Sequence, residues 1–419
     1  MQDWTRGRRR LPAAMVAMAA VFLAGGCVRP LAPASTPTPL ATSTAVPPTA
    51  TPAPTATPAP TPTPVPLGTG PLRAVGGKLV DAGGRHVRLT GVNWSGMETS
   101  GFAPIGLNAR NVDDMLDQIV AAGFNTLRVP FSNQLLDSTI KPMSINFAVN
   151  PSLKGLNALG VLDYVVSGAG RRGLRVILDR HRPTADGQTE LWYTAKFPEE
   201  RWIQDWLMVA RRYRANAAVI GADLSNEPHG AATWGDDNIA TDWRLAAERA
   251  GNAILEVNPD WLIIVEGVQH VGADTYWWGG NLSAAAKAPV RLSRPERLVY
   301  SAHDYGPEES GQSWLQAADF PSNLPGIWRN RWAYLQEQDI APVLIGEFGG
   351  RSIGSDAEGV WQRSLLSFLE QGDFSYTYWV WNPDAWIGGL LVDDRGTLDR
   401  AKMDLLRASQ APLLGKPGR

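Results

Sequence analysis

The chain has 419 residues, a formal net charge of −2, 44% apolar residues and 19% charged residues. This is a globular balance, and the length suits more than one domain or one large α/β barrel. No long basic stripe follows the N-terminus, which argues against a nucleic-acid partner.

The chain opens with a positive cluster, Arg6, Arg8, Arg9 and Arg10, before the apolar run "LPAAMVAMAAVFLA". That run is the length of a signal-peptide core and short for a membrane-spanning helix. It leads to "LAGGC", where Cys27 is the single cysteine of the sequence. Small residues before a lone Cys resemble the lipobox of bacterial lipoproteins, in which the Cys is lipidated and becomes the mature N-terminus. Residues 1–26 are therefore read as a lipoprotein signal peptide, with an ordinary secretory signal as the rival. The expected location is the outer face of the cell envelope, held by a lipid on Cys27, or outside the cell. No other membrane contact is expected.

Residues 31 to 66 are Pro, Thr and Ala with almost no large apolar side chains. Such a segment cannot bury enough surface to offset its ordering entropy, so an extended, polyproline-like tether is expected. At ~3.1 Å per residue it could reach on the order of 100 Å. Its threonines are candidate O-glycosylation sites. Cys27 and this linker make up residues 27–70, and a folded unit follows over residues 71–415.

The texture changes at "GGKLVDAGGRHVRLTGVNW", which reads as a hairpin around "DAGG" leading into a strand. Apolar, β-branched runs then alternate with segments of 3.6-residue period. The strand candidates in order are "VRLTGVNW", "FNTLRVPF", "LRVILDRH", "VIGADLSNEP", "LIIVEGVQ", "LVYSAHDY", "PVLIGEFG" and "YTYWVWN". The helices include "NVDDMLDQIVAAG" and "TDWRLAAERAGNAILEVN". Eight strands in such an alternation predict a (β/α)8 TIM barrel. An open doubly wound sheet fits less well, because no GxGxxG follows the first strand.

Barrel enzymes carry their chemistry at the C-terminal ends of strands. Here the strand bodies are apolar, while the ends carry Asn93, Trp94, Arg128, Asp179, His181, Asn226, Glu227, Glu266, His303, Tyr305, Glu347, Trp379, Trp381 and Asn382. Three of the five histidines, His181, His229 and His303, sit at or just past these ends. Glu227 ends the fourth strand and Glu347 the seventh, so they face each other across the mouth. Glycoside hydrolysis needs two such carboxylates, one to protonate the leaving oxygen and one to attack or to activate water. Arg128 is expected beside Glu347, favouring its ionised form, while Glu227 beside Asn226 and Pro228 can stay protonated. Pro228 also biases Glu227 toward extended backbone. Seventeen Trp supply either a Trp-rich core or flat platforms for sugar rings. Trp192, Trp277, Trp278 and Trp386 are each either platform or loop packing. Glu266 is read as structuring the network rather than as a third acid, Asp179 as an orienting partner, and His86 and His270 as structural.

The segments "DLSNEP" and "LIGEFG", with "NTLRVPFS", "ILDRHRP", "VYSAHDY" and "YWVWNP", resemble the signatures of glycoside hydrolase family 5. The resemblance runs from about Gly76 to about Asp399. "WRLAAERAGNAILEVNP" and "YWWGGNL" further resemble the secreted bacterial endo-β-1,4-glucanases of that family. It implies a retaining, endo-acting cellulase on β-1,4-glucan, with Glu227 as acid/base and Glu347 as nucleophile. It also implies that Asn226 bonds the 2-hydroxyl of the −1 sugar and that Arg128 and Tyr305 hold Glu347. His181 and His303 would bind the −1 sugar or tune the acids, and Trp381 would be its stacking platform. A monomer is expected. A β-mannanase or mixed-linkage glucanase is the nearest alternative. A non-catalytic carbohydrate-binding barrel, which would be expected to lack one of the two Glu, and a displayed adhesin are the others. No cofactor or metal is expected: the first strand ends "GVNWSG" rather than in H-x-H, and no H-E-x-x-H occurs.

Overall fold

The structure, a computed structural model, describes residues 67–309 and 311–416. The proposed signal peptide, Cys27 and the linker up to residue 66 lie outside the described residues. Eight parallel strands close into a barrel in chain order. They are β1 (Thr90–Asn93), β2 (Thr126–Ser132), β3 (Arg175–Arg182), β4 (Val219–Asp223), β5 (Leu262–Glu266), β6 (Leu298–His303), β7 (Val343–Glu347) and β8 (Ser375–Tyr378). The ring closes where Tyr376 of β8 pairs with Thr90 of β1. The strands are buried along nearly their whole length, which is why they read as continuous apolar runs rather than as alternations.

The outer layer holds α1 (Val112–Ala121), α2 (Ala158–Arg171), α3 (Glu199–Arg212) and α4 (Trp243–Val257) on the first four crossovers. In α1, Val112, Met115, Leu116 and Ile119 form the buried stripe. Asn111 caps it, accepting from the Asp113 N–H at 2.8 Å. The fifth crossover departs from the (β/α)8 ideal. Residues 267–297 contain no α-helix, only a short ribbon (His270–Val271 with Asp274–Thr275) and a 3-10 turn. Its sequence, "GVQHVGADTYWWGGNL", has no helical period and is broken by glycines, including the pair Gly279–Gly280. A helix over Leu324–Glu337, α5, follows β6 and loosens into a π turn at Arg329–Ala333. The last crossover carries α6 (Ala357–Gln371), and α7 (Arg400–Arg407) follows β8.

The N-terminal hairpin pairs Arg73–Val75 with Lys78–Val80, and the "DAGG" turn brings His86 back onto Val80. Its Leu72 and Leu79, with Val87 and Leu89, pack against Ile177, Ile220, Leu262 and Leu344 to seal the barrel floor. The tryptophans are mainly core: ten of the largest fully buried side chains are Trp. They also satisfy backbone. Trp202 and Trp206 both donate their indole N–H to the Leu224 carbonyl, at 3.0 and 3.1 Å, and Trp243 donates to that of Glu266 at 2.8 Å. Buried indoles thus brace the carbonyls at the tips of β4 and β5.

Candidate active site

The floor of the barrel mouth is built around Arg128, fully buried on β2. Its Nη1 donates to Glu347 Oε1 at 2.7 Å and to Asn93 Oδ1 at 2.9 Å. Its Nη2 donates to Asn226 Oδ1 at 2.9 Å and Glu266 Oε1 at 3.1 Å, and lies 3.2 Å from Asp179 Oδ2. Its Nε donates to Asp223 Oδ2 at 2.9 Å. One planar cation therefore fixes side chains from β1, β3, β4, β5 and β7 at once, a task suited to the rigid guanidinium fork.

Glu347 receives a second donor, the Tyr305 hydroxyl, at 2.8 Å to Oε2. Glu227 is held differently. Gln188 Nε2 donates to its Oε2 at 2.6 Å, and His303 Nδ1 lies 3.0 Å from its Oε1. An oxygen of Glu227, one of Glu347 and a nitrogen of His303 all lie within 4.8 Å of one another. Such a close approach of the nearest oxygens is in keeping with the closely set carboxyl groups of retaining glycosidases.

Glu227 does not sit on extended backbone: β4 stops at Asp223, and Glu227 has φ +51°. Pro228 disfavours the right-handed helical region but leaves this left-handed conformation open. The neighbours supply the bonds that hold it. The Glu227 N–H donates to Glu266 Oε2 at 2.7 Å, and His229 Nδ1 meets its carbonyl at 2.7 Å. Gly279 (φ +67°) lies against this corner. A Cβ there would come 2.3 Å from Glu266 Oε2 and 3.1 Å from Glu227 Cα, so only glycine fits.

Burial by itself would push His303 down. The carboxylates of Glu266 and Glu347, with the bond to Glu227, instead hold it well above its usual range. Burial pushes Glu266 up to about 7 and Asp223 up to about 6, against the pull of His303 and Arg128 respectively. Burial also raises Asp179 well above the carboxylate range and lowers His181 well below the imidazole range. His181 Nδ1 and Asp179 Oδ2 lie 2.6 Å apart, in hydrogen-bond contact. Burial, then the Glu347 charge, push Tyr305 up, so its phenol remains a donor. Asp179, Asp223 and Glu266 also approach within 4.8 Å of one another, and the Arg128 guanidinium reaches all three.

The cleft above these groups has a volume of about 480 Å3. His181, Gln188, Glu227, Tyr305 and Glu347 form its floor, and Trp277, Trp278, Trp379 and Trp386 its walls. Trp381 does not reach it. That ring is fully buried and packs edge-on to Phe124, with centroids 6.4 Å apart. The aromatic at this wall is Trp379, stacked on His181 at 5.4 Å. The strand reading had carried β8 through Asn382, but β8 ends at Tyr378, so strand alternation does not govern residues 379–381. Trp192 is also buried, donating to Glu199 at 2.7 Å. His86 faces Asp373, and His270 lies on the ribbon after β5. Gln188 was missed by sequence reasoning, since it lies in a loop without period. Asp223 carried a readable signal, a charge inside an apolar strand.

A closed parallel barrel with two carboxylates at this spacing past β4 and on β7 defines a class, the barrel glycoside hydrolases. Residues 80–385 match the family model for cellulase (glycosyl hydrolase family 5). An endoglucanase of Paenibacillus polymyxa is 52% identical over 344 residues, 81% of this chain and 87% of that one. The major extracellular endoglucanase of Xanthomonas campestris pv. campestris is 42% identical over 79% of this chain and 69% of its own length. A cellotetraose complex of an endocellulase from Pyrococcus horikoshii superposes with a TM-score of 0.78 at 39% identity, covering 82% of this chain and all of that one. The chain belongs to glycosyl hydrolase family 5.

Proposed function

We propose that the chain is an endo-acting β-1,4-glucanase that works with retention, Glu227 serving as acid/base and Glu347 as nucleophile. The observation that carries this is the carboxylate pair, within 4.8 Å at the floor of an open cleft. In the first step a Glu347 oxygen bonds to C1 of the −1 sugar while the C1–O bond breaks. The bonding pair leaves with the glycosidic oxygen, which takes the Glu227 proton. In the second step Glu227 removes a proton from water, and that water displaces Glu347 from C1. Arg128 and Tyr305 keep the two Glu347 oxygens aimed throughout. Asn226, pinned by Arg128 on Oδ1, keeps its Nδ2 near His181 and Gln188 on the cleft floor and is suited to the sugar 2-hydroxyl. His303 and His181 serve the acids and the −1 sugar, and Trp379 takes the stacking role first assigned to Trp381.

Export and anchoring through Cys27, with residues 27–70 as a tether and a monomeric barrel beyond, complete the reading. Detergent partitioning of wild type against Cys27→Ser tests the anchor; identical behaviour would sink it. The function is tested by Glu347→Gln on cellulose, barley β-glucan, mannan and xylan, with product-anomer analysis. Hydrolysis of β-1,4-glucan is expected to fall by about 10³-fold or more, with sugar binding kept. Wild-type turnover by this variant, or an inverted first product from the wild-type chain, would refute the mechanism.

A further inference from the structure

Gln188 bridges two side chains on which the proposed reaction depends. It lies in the loop after β3, half-buried, and lines the cleft. Its Nε2 donates to Glu227 Oε2 at 2.6 Å, and its Oε1 accepts from Asn226 Nδ2 at 3.2 Å. Counting bonds at each neighbour gives the same answer twice. Asn226 offers two N–H groups, because its Oδ1 is the end that accepts from Arg128. One points to His181 Nε2 at 3.4 Å and the other to Gln188, so neither is left for a sugar hydroxyl. Glu227 has His303 Nδ1 3.0 Å from Oε1 and Gln188 on Oε2, so neither oxygen is turned toward a leaving oxygen.

In each case one partner must give way. His303 is fully buried and braced by Glu266, whose Oε1 lies 3.2 Å from its Nε2. His181 is buried too and held by Asp179 at 2.6 Å. Of the three, Gln188 is the one with room to swing. It faces the cleft, and a Cβ on the preceding Gly187 would meet nothing within 4 Å. We infer that Gln188 is a stand-in that the substrate displaces: its amide holds the bonds that the −1 sugar's 2-hydroxyl makes to Asn226 and the leaving oxygen makes to Glu227. This rests on the function proposed above. Only hydrogen bonds are traded in the exchange. A sugar that supplies both replacements leaves no polar group unpaired, whereas one without the 2-hydroxyl gives Asn226 nothing in place of Gln188.

The test is Gln188→Ala, with cellotetraose as substrate and two inhibitors as probes. Cellobiose-derived deoxynojirimycin carries the 2-hydroxyl of the −1 sugar, and cellobiose-derived isofagomine carries none. Removing the stand-in is expected to lower KM for cellotetraose by about threefold to tenfold, with kcat within about threefold of wild type. The inhibition constant of the deoxynojirimycin derivative is expected to fall by about threefold or more, while that of the isofagomine derivative stays within about twofold. Gln188→Leu keeps the volume but neither bond, and is expected to move the same constants in the same direction. A kcat lowered by about tenfold or more in both variants would mean that Gln188 steadies the acid during reaction. Equal changes for the two inhibitors would mean that it only packs. Either result would overturn the inference while leaving the function intact. A wild-type chain that does not hydrolyse cellotetraose would overturn the function and this inference with it.

Discussion

The two ends of the barrel are made by the same strands and obey opposite rules. On β3 the residue turns from Ile177 to Asp179, and on β5 from Ile264 to Glu266. Residues two apart share a face, so each strand passes from sealed apolar floor to buried charge in one step. At the floor, Leu72, Leu79 and Leu89 interlock with Ile177, Leu262 and Leu344 and carry no polar group inward. At the mouth, Arg128 gathers Asp179, Asp223, Glu266 and Glu347 in nearly complete burial. The floor stabilises by removing apolar area from water. The mouth costs desolvation energy that its internal pairing offsets, and in return it arrives already organised for charge that develops during reaction.

Removing the organising cation should separate the two ends most clearly. Arg128→Met strips the guanidinium from four buried carboxylates, and about 3–5 kcal/mol of stability should go with it, read as a shift in the urea midpoint. Hydrolysis should be lost as well, because Asn226 and Glu347 lose a shared anchor. A stability loss below about 1 kcal/mol would mean that the acids take up protons and need no cation. Leu79→Ala at the floor should cost about 3 kcal/mol through the cavity it leaves. Its kcat and KM should stay within about twofold of wild type in conditions where it is folded. A marked kcat loss in that variant would mean that the floor tunes the mouth, and the contrast would fail.

The fold was legible because each strand is a short apolar burst ending in polar residues. Arg128 was read among the strand ends with Glu227 and Glu347, although it is the third of the seven residues of β2. What escaped was set by tertiary contact. Gln188 lies in "PTADGQTE", where no period predicts which side chain turns inward. The left-handed backbone of Glu227 is held by the neighbouring His229 and by Glu266, which lies at the end of the next strand, β5. Choosing between Trp379 and Trp381 required knowing where β8 stops. The absent fifth helix had a local signal in its glycines and missing period, but the eight-fold pattern overrode it.

Proton linkage offers the subtlest separation of the two ends. At the mouth, burial raises Glu266 from 4.5 to about 7. A group whose folded pKa is raised contributes stability fully present below its unfolded pKa and lost as pH climbs through the folded value. For Glu266 the window is therefore pH 4.5 to about 7, and stability should fall across it. Asp223, raised to about 6, acts in the same direction. At the floor hairpin the sign reverses. Burial works to raise Asp81, but bonds from Arg85 and from the Gly68 N–H leave it lowered from 3.8. Its contribution is present above 3.8 and vanishes as pH drops through the lower folded value. The windows do not overlap, so one variant can isolate the mouth. Glu266→Gln keeps an oxygen able to accept from the Glu227 N–H but removes the titration. Urea midpoints at pH 5, 6, 7 and 8 should show a flatter decline than wild type, by up to about 1.4 kcal/mol per pH unit inside the window. Parallel curves would place the proton on Asp179 or Asp223 instead, and the mouth would have to be redescribed as one acid cluster whose charge is set by Arg128 and His303 together.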